Sequence, residues 1–131
     1  MERREGIDAP NQEAMTAFAG RAAEGPVFML NLLEFVPDGG AERYAEYGVA
    51  VAPVFKKAGG KPIFAGRPAE HLIGEGKWDM VLVVSYPTRQ AFLDMVSSPE
   101  YQEIEHLRSE SLLRSELRAM DALDVAELPG S

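Results

Sequence analysis

The sequence has no cysteine and only two histidines. The absence of cysteine excludes disulfides, thiolate metal sites and cysteine nucleophiles. His71 and His106 are far apart in the chain and too few for the usual sets of metal ligands. Motifs for phosphate cradles, dinucleotide sites, hydrolase nucleophiles and zinc proteases are also absent. We therefore expect neither a metal nor a cofactor.

Basic side chains are outnumbered by acidic ones, with 13 Lys and Arg against 21 Asp and Glu, which gives a net charge of −8. A nucleic-acid partner needs a cationic face, so this balance disfavours one. No apolar run is long enough to span a membrane, and the start MERREGID lacks the apolar core of a signal peptide. With 131 residues, 46% of them apolar, the chain is expected to form one globular, cytoplasmic domain.

The most informative stretch is Trp78–Arg108, which predicts a strand followed by helices. Met80–Val84 is continuously apolar and rich in Val, as in a strand covered on both faces. Thr88 can cap a helix that runs to about residue 96. Ser97 with Glu100 fits a capping box, so a second helix is expected to restart there.

Periodicity and Gly or Pro stops predict the other elements. In chain order these are a helix over 11–23, a strand over 27–35, a helix over 41–58 with either a kink at Pro53 or two abutting pieces there, a strand over 61–74 with a bulge or bend at 66–68, and a last strand over 115–125.

This order is that of a ferredoxin-like α+β fold, βαββαβ, with four antiparallel strands and two helices on one face. We assign residues 1–25 to an accessory N-terminal helix, 26–125 to the domain and 126–131 to a tail. The central strands are apolar at both parities, yet the helices cover one face only. A homodimer formed sheet to sheet is therefore expected, and we place Val27 and Met80 on its shared face.

The runs WDMVLVVSYPTRQAFLDMVSSPEYQEIEHLR, GGKPIFAG and AERYAEYGVAVAPVF resemble family 1330 of the domains of unknown function. The resemblance covers residues 27–120 and depends on the order and spacing of short motifs. It implies the dimeric α+β barrel superfamily, in which related proteins share a pocket between sheet and helices. It implies no particular chemistry.

Two polar side chains stand out against this apolar pattern. Asn31 interrupts the first strand, where a buried amide needs partners, either protein groups or a ligand. Arg108 shares a helix face with Tyr101. It forms either an ion pair with Asp79 or Glu34, or a clamp for a ligand carboxylate.

We predict that Asn31, Tyr47, Tyr86 and Arg108 line one cavity between sheet and helices, with His71 or His106 near its mouth. Two functions remain open. One is binding of a small acidic or aromatic metabolite without catalysis. The other is a cofactor-independent isomerase or monooxygenase-like enzyme, with a His or Tyr carrying the proton.

Overall fold

The computed structural model describes residues 10–130, which form one antiparallel sheet in the order β2-β3-β1-β4. The ferredoxin-like α+β fold and its extra N-terminal helix are confirmed. No helix in this described part is long and apolar enough to cross a membrane. The elements are α1 (Gln12–Gly20), β1 (Val27–Phe35), α2 (Gly40–Lys57), β2 (Lys61–Gly66), β3 (Met80–Tyr86), α3 (Arg89–Ser97), α4 (Pro99–Ser111) and β4 (Leu112–Met120), followed by a 3-10 turn at Val125–Glu127.

The register of β1 against β3 decides which side chains meet the helices. Val27 pairs with Tyr86 and Leu33 with Met80, so these four side chains share one face. Val27 and Tyr86 belong to the buried core, against which side chains from α1, α2, α3 and α4 pack. The expectation that Val27 and Met80 lie on the shared dimer face is therefore wrong. Both parities of these strands are apolar, so periodicity alone did not reveal which one faces the helices.

The opposite face of the sheet carries apolar side chains, and no helix formed by residues 10–130 packs on it. Leu30 pairs with Val83 and Leu32 with Val81, and all four are half-buried. Phe64 of the edge strand β2 lies opposite Val83 and is 60% exposed. We call Leu30, Leu32, Phe64, Val81 and Val83 the open face.

Several predicted boundaries are corrected. β2 ends at Gly66, because Arg67-Pro68 cannot continue the ladder, and residues 67–79 form a loop. The irregularity in β2 lies between Pro62 and Phe64 rather than at 66–68. α2 runs through Pro53 as one helix.

The ends of α4 also differ from the prediction. Ser98, not Ser97, caps α4, because its Oγ accepts a hydrogen bond from the Tyr101 N–H at 3.2 Å. β4 spans Leu112–Met120, three residues before the expected start.

The segment after α1 attaches to the start of α3. The carbonyl oxygens of Ala22 and Glu24 accept hydrogen bonds from the Gln90 and Arg89 N–H groups at 2.8 and 3.0 Å. These are first-turn donors that a helix leaves unpaired. The accessory helix is thereby tied to the domain through the backbone.

Candidate functional site

Asn31 lies in the middle of β1 and points toward the helices, with only 7% of its surface exposed. Its Nδ2 donates to the carbonyl oxygens of Leu82 at 3.4 Å and Met29 at 3.5 Å. Its Oδ1 accepts from Arg108 Nη2 at 3.4 Å. All three contacts are at the long limit of hydrogen bonding. The amide is therefore satisfied only weakly by the protein.

The four tyrosines of the chain lie on the elements that surround Asn31 and Arg108. Tyr44 and Tyr47 come from α2, with ring centroids 5.4 Å apart. The hydroxyl of Tyr47 is 3.1 Å from that of Tyr101 on α4. Tyr86 ends β3 and donates a weak bond to Met95 Sδ at 3.9 Å. We call Asn31, Tyr44, Tyr47, Tyr86, Tyr101 and Arg108 the tyrosine–arginine cluster.

Three hydroxyls of this cluster, those of Tyr44, Tyr47 and Tyr86, are in an environment that disfavours ionisation. Burial raises the pKa of Tyr44, Tyr47 and Tyr86 above the ordinary tyrosine value. The positive charge of Arg108 acts on all three and lowers each pKa, but burial outweighs it. These three hydroxyls therefore stay protonated near neutral pH and serve as neutral hydrogen-bond groups.

Arg108 is half-buried and has no carboxylate within 4 Å among residues 10–130. The two acids expected as its structural partners are engaged elsewhere. Asp79 Oδ2 accepts from the Phe35 N–H at 2.9 Å. Glu34 Oε1 lies 3.6 Å from Arg114 Nε. The interpretation of Arg108 as half of an ion pair with Asp79 or Glu34 is therefore wrong.

The predicted site residues separate into a cluster and two outliers. Arg108 contacts Asn31, and its charge acts on Tyr47 and Tyr86. His106 is exposed on α4, and His71 is exposed in the loop at 67–79.

Two surface clefts open elsewhere on the molecule. His71 lines the first, of about 740 Å³, together with Trp78 and much of the 67–79 loop. The second, of about 370 Å³, adjoins it at Phe35 and Asp79. Neither is lined by Asn31, Tyr47, Tyr86 or Arg108. A cavity shared by those four residues stays a prediction.

A residue of β4 lies beside the cluster and is exposed to solvent. Leu117 is the β4 residue paired with Asn31, so the two side chains lie on the same face of the sheet. Leu117 is 47% exposed, whereas Met29 and Leu33 on that face of β1 are buried. Leu117 is therefore an exposed apolar side chain beside the buried Asn31.

Three residues of this region, Tyr44, Tyr101 and Leu117, were not among the predicted site residues. Tyr44 had a signal, since its spacing of three from Tyr47 places both on one helix face. The sequence also indicated Tyr101, because it lies seven residues before Arg108 and therefore on the same helix face. No sequence pattern indicated Leu117, because only the strand register places it beside Asn31. In the described part of the chain no group of three His, Asp or Glu side chains is placed to hold a metal.

Comparison with solved structures places the fold among ferredoxin-like proteins. A protein of unknown function from Rhodopseudomonas palustris is 35% identical, with a TM-score of 0.82 over 91% of this chain and 98% of that one. The Rv0793 protein from Mycobacterium tuberculosis is 21% identical, with a TM-score of 0.59 over 78% and 99%. A dimeric ferredoxin-like protein of unknown function from Thermobifida fusca is 10% identical, with a TM-score of 0.52 over 76% and 94%. The last two likenesses concern the fold alone.

No curated protein matches the sequence. Residues 39–121 match the family model described as a domain of unknown function, DUF1330. That segment is more than half of the chain. The protein therefore belongs to the DUF1330 family.

Proposed function

We propose that the protein binds a small acidic metabolite, with Arg108 as the anchor for its carboxylate. The observation that carries this proposal is a half-buried guanidinium with no carboxylate partner among the described residues. A guanidinium has five N–H donors, and its hydrogen bond to Asn31 is long. Burying a charge is costly unless it is paired, and a carboxylate is the anion that fits a guanidinium through two parallel bonds.

The neighbours of Arg108 suit a ligand of this kind. Asn31 offers a weakly bound amide that can exchange its protein partners for ligand atoms. Tyr47 and Tyr86 have neutral hydroxyls, which place no competing negative charge near a bound carboxylate. His71 and His106 are exposed and outside this cluster, so the proposal gives them no role.

The titratable groups of the cluster favour binding over catalysis. General acid–base catalysis is most effective when the group has a pKa near the working pH. Burial moves the pKa of Tyr44, Tyr47 and Tyr86 away from neutrality. The alternative is a cofactor-independent isomerase or monooxygenase-like enzyme acting on such a metabolite. It would depend on the Tyr47–Tyr101 hydroxyl pair as its path for protons.

Thermal unfolding with a panel of carboxylates tests the binding function. A ligand at one hundred times its Kd stabilises the folded state by about 2.7 kcal/mol, which raises the melting temperature. We expect aliphatic and aromatic carboxylates to raise it and the corresponding amides to have no effect. Arg108→Gln should remove the effect. Lys56→Gln, which loses the same charge at an exposed site on α2, should keep it.

Asn31→Leu separates a ligand role from a structural one. If Asn31 faces the ligand, this variant should melt close to the parent protein and lose the carboxylate-induced stabilisation. If Asn31 is only structural, carboxylates should still stabilise the variant. An undiminished response in Arg108→Gln contradicts the proposed anchor.

We also propose that the protein forms a homodimer through its open face. The support is the set of apolar side chains there, on which no helix of the described chain packs. Contiguous apolar surface beyond a few hundred Å² is unusual on a monomer and marks an interaction site. Sedimentation at micromolar concentration should give about twice the chain mass of 14.3 kDa. A single species at the chain mass contradicts the dimer.

A further inference from the structure

We propose that the ligand is a monocarboxylate with an apolar body, and that this body lies over β4 at Leu117. The inference rests on the proposed function, since it takes the Arg108–carboxylate contact as given. It adds the chemical class of the rest of the ligand and the direction from which the ligand enters.

The position of the apolar body follows from the sheet register. Leu117 is paired with Asn31, and side chains paired across antiparallel strands have Cβ atoms about 5 Å apart. Asn31 in turn contacts Arg108 at 3.4 Å. A carboxylate held by Arg108 therefore has the Leu117 side chain as its apolar neighbour on the sheet.

The exposed fractions of the side chains on this face of the sheet indicate that the second half of β4 is accessible to a ligand. Leu117 is 47% exposed and Ala119, next on the same face, is also exposed. On β1 the same face is closed, with Leu33 fully buried and Met29 nearly so. The helices thus cover the centre of the sheet and leave the second half of β4 accessible beside the cluster.

The charge of the site selects one negative group. Arg108 is the single cation of the tyrosine–arginine cluster, and the other members are an amide and four hydroxyls. The chain as a whole carries a net charge of −8, which repels each additional negative charge on a ligand. We therefore expect a dicarboxylate or a phosphate ester to bind more weakly here than a monocarboxylate.

A series of probes of increasing length tests the apolar part by titration calorimetry on the full chain. Acetate, butanoate and hexanoate share the carboxylate and differ in apolar area. Burial of apolar surface is worth about 25 cal/mol per Å², so each ~55 Å² buried should improve the Kd about tenfold. We expect Kd to fall along the series, and butanedioate to bind more weakly than butanoate.

Leu117→Gln tests the location. It should weaken hexanoate about tenfold or more and leave acetate unchanged, because acetate is too short to reach the side chain. Val49→Gln is the matched control, since Val49 is an apolar residue of α2 that is 79% exposed. It should leave both affinities unchanged. Leu117 is itself half-exposed, so the polar replacement should fold, and a melting curve checks this.

The outcomes separate this inference from the function on which it rests. A Kd that does not change from acetate to hexanoate overturns the apolar body, even if Arg108→Gln abolishes binding and the carboxylate anchor stands. Equal losses of acetate and hexanoate in Leu117→Gln overturn the location at β4. Binding by none of the carboxylates overturns the proposed function and this inference together.

Discussion

Tyr47 and Tyr101 illustrate how closely single residues in this core depend on each other. Their hydroxyls are 3.1 Å apart and both side chains are buried. A buried hydroxyl that loses its partner costs about 1–3 kcal/mol, whereas removing both partners together costs much less. The hydrogen bond therefore links α2 to α4, and its contribution to stability cannot be assigned to either tyrosine alone.

A double-mutant cycle tests this coupling. We expect Tyr47→Phe and Tyr101→Phe each to lower the free energy of unfolding by about 1–3 kcal/mol. The double variant should lose less than the sum of the two, because neither hydroxyl is then left unpaired. Urea denaturation of the four proteins gives the coupling energy. Strict additivity contradicts a hydrogen bond between the two hydroxyls.

At the scale of elements, α1 is attached through a few contacts and not through a buried face. None of its residues is buried. Phe18 packs on Phe92 with ring centroids 5.7 Å apart and lies under the buried guanidinium of Arg89 at 5.4 Å. Asp121, just after β4, bonds both Arg89 and Arg21. These contacts join the first helix to the end of the last strand.

Gly25→Ala should disrupt the attachment of α1. A Cβ at this position would meet the backbone of Pro87 and Thr88, which cannot move as a flexible side chain can. We expect amide exchange to become faster in α1 and in the first turn of α3, whose N–H groups donate to the carbonyl oxygens of Ala22 and Glu24. Gly20→Ala is the control, because a Cβ there meets no atom within 4 Å. Unchanged exchange in Gly25→Ala contradicts the close approach.

Acid should weaken the same attachment. Hydrogen bonds from Arg21 and then Arg89 lower the pKa of Asp121 below its ordinary value of 3.8. Because the pKa is lowered in the folded state, the stabilisation is present above about 3.8 and is lost as the pH falls through the folded pKa. A carboxyl NMR titration should give a midpoint for Asp121 below 3.8. Asp121→Asn should abolish the acid-dependent part of α1 protection, and a midpoint at 3.8 or above contradicts the pairing.

At the scale of the whole molecule, the open face raises the question of assembly. Within residues 10–130, the helices lie on one side of the sheet and form no covering layer over Leu30, Leu32, Val81 and Val83. Phe64 extends this apolar surface onto the edge strand β2. A second copy of the same face is the simplest cover, since a two-fold interface matches a surface with itself.

Charge substitutions on this face test the dimer. Val83→Glu should reduce the sedimenting mass from about twice the 14.3 kDa chain to that of one chain, because it places an unpaired charge in the interface. Phe64→Glu should have the same effect, and at 60% exposure it does not disturb the fold of the single chain. Val49→Glu, at a 79% exposed position on α2, should remain dimeric. A dimer that survives both Val83→Glu and Phe64→Glu contradicts the open face as its interface.

The predictability of the fold differs between elements for identifiable reasons. β1 matched over its whole length, because it is a long apolar run bounded by Gly25-Pro26 and Pro37. β2 was overextended, because the residues after Gly66 are apolar enough to imitate a strand, and Pro68 was interpreted as a bulge. The start of α4 was assigned one residue early, because two adjacent serines can each act as a cap and only the backbone decides between them.

The candidate site was predictable in part. Asn31 was conspicuous because an amide in an apolar strand needs partners, and its contact with Arg108 agrees with the expectation that the two share one environment. The predicted ion pair of Arg108 with Asp79 or Glu34 was wrong. Asp79 accepts a hydrogen bond from the Phe35 N–H, and Glu34 lies beside Arg114. Pairings of this kind depend on loop and strand geometry, which residue types do not encode one by one.

The sequence by itself determined the order of elements and the ferredoxin-like α+β class, because hydrophobic period, caps and Gly or Pro stops are local properties of the chain. The family came from the resemblance of its motifs, which the match over residues 39–121 confirms. Only the tertiary structure decided which face of the sheet meets the helices, since both parities of β1 and β3 are apolar. It alone brought Leu117 opposite Asn31 and left Arg108 without a carboxylate among the described residues. Register and packing join residues far apart in the chain, and the chemistry of this protein depends on those long-range contacts.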